Sequence, residues 1–224
     1  FAPENLDNIK DILLTILNND SSSVNDMSEY SMTVLNNSRG KIFQALFQYC
    51  LRYARLNKNL EDKWDSDIKR IIEELLNKKN DIPLLYFVFG QFLPNIHYLS
   101  EVWLINNFNK LFPLENKTNW EAAICGYLFY HANPQQLYFR LLKDNGHYSK
   151  ALTSLLNKER NEATAHLIRH ICIAYSFSIN DFSFDDAIFK VLLEQKRKDY
   201  FSNMIFHFWR PKGYLAPTGY TGLS

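Results

Sequence analysis

The chain has 224 residues, enough to bury a sizeable core as one large domain or as a run of helical repeats. Its 25 Lys and Arg against 24 Asp and Glu leave a formal net charge of +1, which argues against a dedicated nucleic-acid binder, because that function normally needs a basic surface. Only seven glycines and seven prolines leave little room for sandwich turns or flexible linkers, and 17 Phe, 13 Tyr and 4 Trp call for an aromatic core and exclude a disordered segment.

The three cysteines, Cys50, Cys125 and Cys172, stand far apart in apolar helical contexts. No pair has metal-ligand or redox spacing, so they read as buried thiols in a reducing compartment, and the expected location is cytoplasmic. The longest apolar run, Leu84 to Phe89, is too short to span a bilayer, so no membrane partner is expected. No signal peptide opens the chain, and a start at Phe1 rather than Met reads as a fragment of something larger.

In chain order, a first amphipathic helix is expected from about Pro3 to Leu17, with Leu6, Ile9, Ile12, Leu13, Ile16 and Leu17 on one face. A polar, serine-rich break covers Asn18 to Asn25, and a shorter helix runs to about Leu35. Asn36-Asn37-Ser38 then caps the stretch Ser38 to Leu56, around which the rest is organised. Its polar residues Lys41, Gln44, Gln48, Arg52 and Arg55 form one narrow stripe, and the remainder is apolar or aromatic. Such a helix must be covered from several sides and is therefore an inner one.

Trp64 to Leu76 follows, with Ile68, Ile71, Ile72, Leu75 and Leu76 on one side and acids at its start. After a solvated turn at Asn77 to Asp81, Pro83 starts a compact apolar helix to Leu93, closed by Pro94. Ser100 reads as the N-cap of Glu101 to Leu111, with Val102, Trp103, Ile105, Phe108 and Leu111 inward. Trp120 to Tyr130 is nearly all apolar. Asn133-Pro134 reads as cap and first position of a helix to about Lys143, followed by His147 to Leu156.

Glu159 to Phe177 repeats the inner-helix design, with Glu162, His166, Arg169, His170 and Ser176 as its polar stripe. Asp181 to Gln195 and Lys198 to Trp209 complete the set. From Pro211 the composition shifts to Gly, Pro and Thr, which reads as an extended tail over 211–224, native or artificially appended, with no core of its own. The expected fold is all-α: about ten helices over residues 1–210 as one helical-repeat domain, stacked as irregular hairpins in an α-solenoid of the HEAT or tetratricopeptide kind. A compact non-repetitive bundle is the alternative.

Several residue groups invite a chemical reading. Glu162, His166 and His170 share a helix face at a spacing that suits a metal, but Leu167 stands where the zinc-protease pattern needs Glu, and Arg169 opposes a cation. Glu73-Glu74 and Asp185-Asp186 diverge by about 100° on a helix and do not converge on one substrate atom. Gly40-Lys41 lacks the glycine loop and the Ser or Thr of a phosphate site. No catalytic residue, metal site or cofactor site is therefore assigned, and this segment is read as no enzyme. Lys196-Arg197-Lys198 reads as solvated surface. The aromatic end of the last helix is the strongest contact candidate, with partner-binding assigned to His207, Trp209, Arg210 and Tyr214 beside Phe206 and Phe208.

Asn36 to Lys41 (NNSRGK), leading into an apolar helix, resembles the Asn-x-x-Arg-Gly-Lys entry of a helical-repeat region in large bacterial anti-phage defence proteins. In those proteins the region lies beside sirtuin-like NAD-hydrolysing or STAND-type NTPase domains. Leu99 to Trp103 resembles its Leu-Asp-Pro-Glu-Trp step, with Ser100, Glu101 and Val102 in place of Asp, Pro and Glu. Ala123 to Phe129 resembles its Trp-x-Gly-Tyr-Leu step, with Ile124 in place of Trp, and Leu137 to Leu152 and Arg169 to Tyr175 continue the order. The resemblance covers most of Met32 to Trp209 and carries over no catalytic residue. It implies a sensor or scaffold that binds a phage protein or restrains effector domains of the same parent chain, with any oligomer formed through that parent. A nucleic-acid-binding helical domain using Arg52, Arg55 and the Lys196 run, or an enzyme of an unrecognised helical class, are the competing readings.

Overall fold

The structure, a computed structural model, describes residues 5–20, 30–57, 60, 62–78, 82–155 and 162–209. Sequence expectations for 1–4, 21–25, 79–81, 156, 159–161 and 210–224 lie outside the described residues. Among the described residues there are thirteen α-helices and no β-strand, so the fold is all-α with more and shorter helices than expected. None of these helices is long and apolar enough to cross a membrane. The chain divides into two compact units, Phe1–Tyr127 and Leu128–Ser224.

The first unit contains α1 (Leu6–Asn19), α2 (Tyr30–Asn36), α3 (Ser38–Leu56), α4 (Ser66–Asn77), α5 (Pro83–Gln91), α6 (Leu93–Leu99), α7 (Glu101–Leu111) and most of α8 (Lys117–Tyr130). The bounds of α3 are those expected. Its start is set by Asn37, whose side chain accepts from the backbone N–H groups of Arg39 and Gly40. α1, α2, α5 and α6 all lie against α3, which makes it the inner helix of this unit. Phe43, Leu46, Phe47, Cys50 and Ala54 are buried, while Lys41, Gln48 and Arg55 of the polar stripe are exposed. Phe47 is the hub of an aromatic core, with ring centroids 5.8 Å from Trp64, 5.9 Å from Phe89 and 5.3 Å from Phe92.

A buried carboxylate ties three helices of this unit together. Asp65 caps α4 by accepting from the N–H groups of Asp67 and Ile68, and its other oxygen meets Tyr49 Oη at 3.3 Å and Lys10 Nζ at 3.4 Å. α5 and α8 approach backbone to backbone at two glycines. A Cβ on Gly90 would stand 2.1 Å from the Ala123 carbonyl oxygen, and one on Gly126 would stand 2.1 Å from the Phe87 carbonyl oxygen. Only glycine permits a crossing this close.

Three expectations for this unit are corrected. Pro94 does not close the apolar helix; α5 ends at Gln91, and Pro94 lies in the first turn of a separate helix, α6, where a missing N–H costs nothing. Val102 and Ile105 of α7 do not face inward and are 70% and 46% exposed. Trp103, Leu104, Phe108 and Leu111 span the buried arc, and at about 100° per residue Val102 and Ile105 fall outside it. In α1 the buried line is Leu6 and Leu17, and Ile12 and Ile16 sit to one side of it and are exposed.

The second unit begins with the last residues of α8 and adds α9 (Gln136–Asp144), α10 (His147–Ser154), α11 (Glu162–Ser176), a 3-10 turn at Ile179–Asp181, α12 (Ala187–Glu194) and α13 (Lys198–Trp209). α13 and α10 both lie against α11, and α10 also meets α9 and α12. Phe139 centres this core, with ring centroids 5.0 Å from Tyr148 and 5.3 Å from Phe182. The bounds of α13 match the expectation, as does the burial of Ile168 and Cys172 in α11.

Two boundaries differ here. Asn133-Pro134 does not start a helix; α9 begins at Gln136, and Asn133 Oδ1 instead accepts from Arg169 Nε at 2.9 Å. The helix expected from Asp181 starts six residues later, because Ser178, Asn180 and Asp181 take left-handed backbone angles (φ 48°, 50° and 57°) and Asp186 provides the cap.

Candidate protein-contact surface

α11 displays the histidines that the sequence offered as metal ligands, and the structure commits them elsewhere. His170 is fully buried, where the polar stripe of α11 is expected to carry surface or interface histidines. Its Nε2 lies against the His131 carbonyl oxygen and its Nδ1 is 2.9 Å from Tyr148 Oη. A carbonyl cannot donate, so Nε2 carries the proton and Nδ1 accepts from the tyrosine hydroxyl. Burial pushes the pKa of this imidazole down to about 3, which keeps it neutral. His166 Nδ1 is 2.6 Å from the Leu128 carbonyl oxygen. Together with the Arg169–Asn133 bond, these contacts fasten one face of α11 to the segment 128–133. Among the described residues no group of three or more His, Cys, Asp or Glu stands where it could hold a metal ion.

The other candidates for chemistry also have local duties. Glu73 Oε1 accepts from the Trp103 indole at 2.8 Å, and Arg70 donates to Glu74 at 2.8 Å. Asp186 caps α12 and pairs with Lys143 at 2.8 Å. A cleft of about 740 Å³ opens in the first unit between α4 and α7, lined in part by Asp62, Lys69, Glu73, Glu101 and Trp103. Asp62 is paired with Lys69, Glu101 lies 3.6 Å from His97, and Ser100 is spent on capping α7.

α13 is built differently, because it has two apolar faces and only one is covered. Tyr200, Met204 and His207 recur at helical spacing and are buried. Phe201, Ile205, Phe208 and Trp209 recur at the same spacing on the adjoining face and are exposed, Ile205 at 68% and Trp209 at 86%. His207, expected to contact a partner, therefore sits on the inner side, and Trp209, expected to do the same, is exposed. Arg210 and Tyr214 lie outside the described residues.

Ring contacts run from this face onto neighbouring elements of the same unit, through the buried Phe189. Phe208 meets Tyr175 at 5.7 Å, Tyr175 meets Phe189 at 5.2 Å, and Phe189 meets Phe184 at 5.2 Å, with Tyr175 and Phe184 themselves exposed. From Tyr200 to Trp209 the helix carries no Lys, Arg, Asp or Glu. The basic run before it is partly neutralised within the chain: Arg197 pairs with Asp199 at 2.7 Å and lies over the Tyr200 ring at 4.7 Å.

No protein-family model, curated protein or solved structure matches this chain at a significant level. Sequence reasoning singled out the aromatic end of α13 but missed Phe201, Ile205, Tyr175 and Phe184. The usable signal was the second apolar stripe, Phe201, Ile205 and Phe208, running beside the first.

Proposed function

We propose that this chain is a protein-binding segment, a sensor or scaffold of a cytoplasmic anti-phage defence effector whose catalytic domains lie elsewhere in a parent protein. The observation that carries the reading is the outer face of α13, where Ile205 and Trp209 are exposed beside Phe201 and Phe208 with no charge among them. Aromatic anchors on a rigid helix, with charge kept to the rim, are the composition of a protein interface. The resemblance of Asn36 to Lys41, Ala123 to Phe129 and the steps between them to the anti-phage helical region supplies the biological setting. The balanced charge and the Arg197–Asp199 pair weigh against nucleic acid as the ligand.

The test is capture from phage-infected and uninfected extracts, with nuclease, using the tagged chain and its Ile205→Ser/Trp209→Ser double variant. A discrete protein retained by the parent chain, lost in the variant and only moderately sensitive to salt, is the expected result. Capture that ignores the double variant, or recovery of nucleic acid with a steep salt slope, overturns the reading.

A further inference from the structure

α1 is held to the first unit by little apolar contact. Of its 14 residues only Leu6 and Leu17 are buried, and Asn5 gives its start no side-chain cap. Polar ties add to this, and they are placed unevenly. At the C-terminal end the Asp20 carboxylate accepts from the Ser38 hydroxyl at 3.0 Å, and the Asp20 carbonyl accepts from Arg39 Nη1 at 2.8 Å. That end is therefore fixed to the start of α3. In the middle of the helix, Lys10 Nζ reaches Asp65 at 3.4 Å and Asp67 at 3.0 Å. Elements with few buried contacts open at a lower free energy than the core they lie on.

The middle tie couples α1 to a carboxylate that stands in the core. Asp65 is buried; one oxygen serves the N–H groups of Asp67 and Ile68, and the other meets Tyr49 Oη and Lys10 Nζ. Lys10 is the cation that faces it, and a buried carboxylate stripped of its cation is strongly unfavourable. When α1 swings away, water takes the place of the ammonium group and the carboxylate no longer needs it. The charge on Lys10 thus favours the closed arrangement and is indifferent to the open one. Its bond to Asp67 contributes less, because that side chain is half exposed and solvent screens the pair.

We infer that α1 is a strap that swings open about Asp20 while the rest of the first unit stays folded, and that Lys10 on Asp65 keeps it closed. The state of one ammonium group thereby sets whether the Tyr49 side of α3 is covered.

Hydrogen exchange of the purified 224-residue chain, read by mass spectrometry under opening-equilibrium conditions, tests this. Amides of α1 should exchange roughly tenfold or more faster than those of α3. Lys10→Gln should speed α1 by roughly 10- to 100-fold, the loss expected for a hydrogen-bonded charge partner, and Lys10→Arg should restore it. Adding Asp65→Asn to Lys10→Gln removes the stranded charge, keeps an oxygen for the α4 cap, and should slow α1 again. Ile96→Val, a mild change at a buried position of α6, should speed α3 severalfold and leave α1 as it was, because α6 stays folded when the strap opens. Equal protection of α1 and α3, or an Ile96→Val effect of the same size on both, overturns the strap. A double variant that exchanges as fast as Lys10→Gln alone overturns the role of the Lys10–Asp65 pair.

Discussion

The Tyr148 hydroxyl donates to Nδ1 of His170 across 2.9 Å, and the opposite nitrogen of that ring donates to the His131 carbonyl. One buried imidazole thereby joins α10, α11 and the segment after α8, three pieces of chain well apart in sequence. Its two polar atoms are both satisfied, which is the condition for placing a histidine in a core without a large penalty.

Removing the donor alone should be more harmful than the loss of one hydroxyl implies. Tyr148→Phe removes the hydroxyl that donates to the buried Nδ1, and the cost should be about 1–3 kcal/mol. Urea unfolding of the variant against the parent chain measures it. A shift near zero would mean that water or another donor reaches the ring.

Acid should weaken the second unit well above the carboxylate range. Burial lowers the pKa of His170 to about 3, and burial followed by the nearby Lys150 lowers that of His147 to about 4, against 6.5 for the free side chain. The unfolded chain takes up these protons first, so the stabilisation is complete above about pH 6.5 and is lost as pH falls toward the folded-state values. Each histidine contributes a slope of up to about 1.4 kcal/mol per pH unit in that window. Denaturation midpoints measured through the window should fall with pH. His170→Gln, which keeps a donor toward the His131 carbonyl, should lose part of the slope. Stability that stays flat through the window would show that these imidazoles protonate in the folded state.

The close crossing of α5 and α8 makes a prediction in the first unit. Gly126→Ala and Gly90→Ala each force a methyl group into a backbone carbonyl of the other helix, and each should destabilise by about 1–3 kcal/mol or more. Either variant melting like the parent chain would show that the helices can separate at no cost.

A matched pair of substitutions checks the inner and outer positions of that unit. Leu46 lies on the buried side of α3, so Leu46→Ala should cost about 2–5 kcal/mol. Val102 projects from α7 into solvent, so Val102→Ala should stay within about 0.5 kcal/mol. Equal losses at the two sites would contradict their placement.

What the sequence determined by itself is local: the all-helical class, the inner character of α3, and the bounds of α3, α7 and α13. Those features follow from periodicity and from caps such as Asn37 and Ser100, whose hydrogen bonds reach only two or three residues along the chain. Tertiary structure alone decided which polar and apolar positions are covered. His170 looked like one more member of a solvated stripe because its partners, Tyr148 and His131, are 22 and 39 residues away. Pro94 and Asn133-Pro134 could be read as stop or start until neighbouring segments claimed them. The two apolar faces of α13 were equally apolar in sequence. Packing against α11 buried Tyr200, Met204 and His207 and left Phe201, Ile205 and Trp209 exposed, a division that the spacing of the two stripes alone does not make.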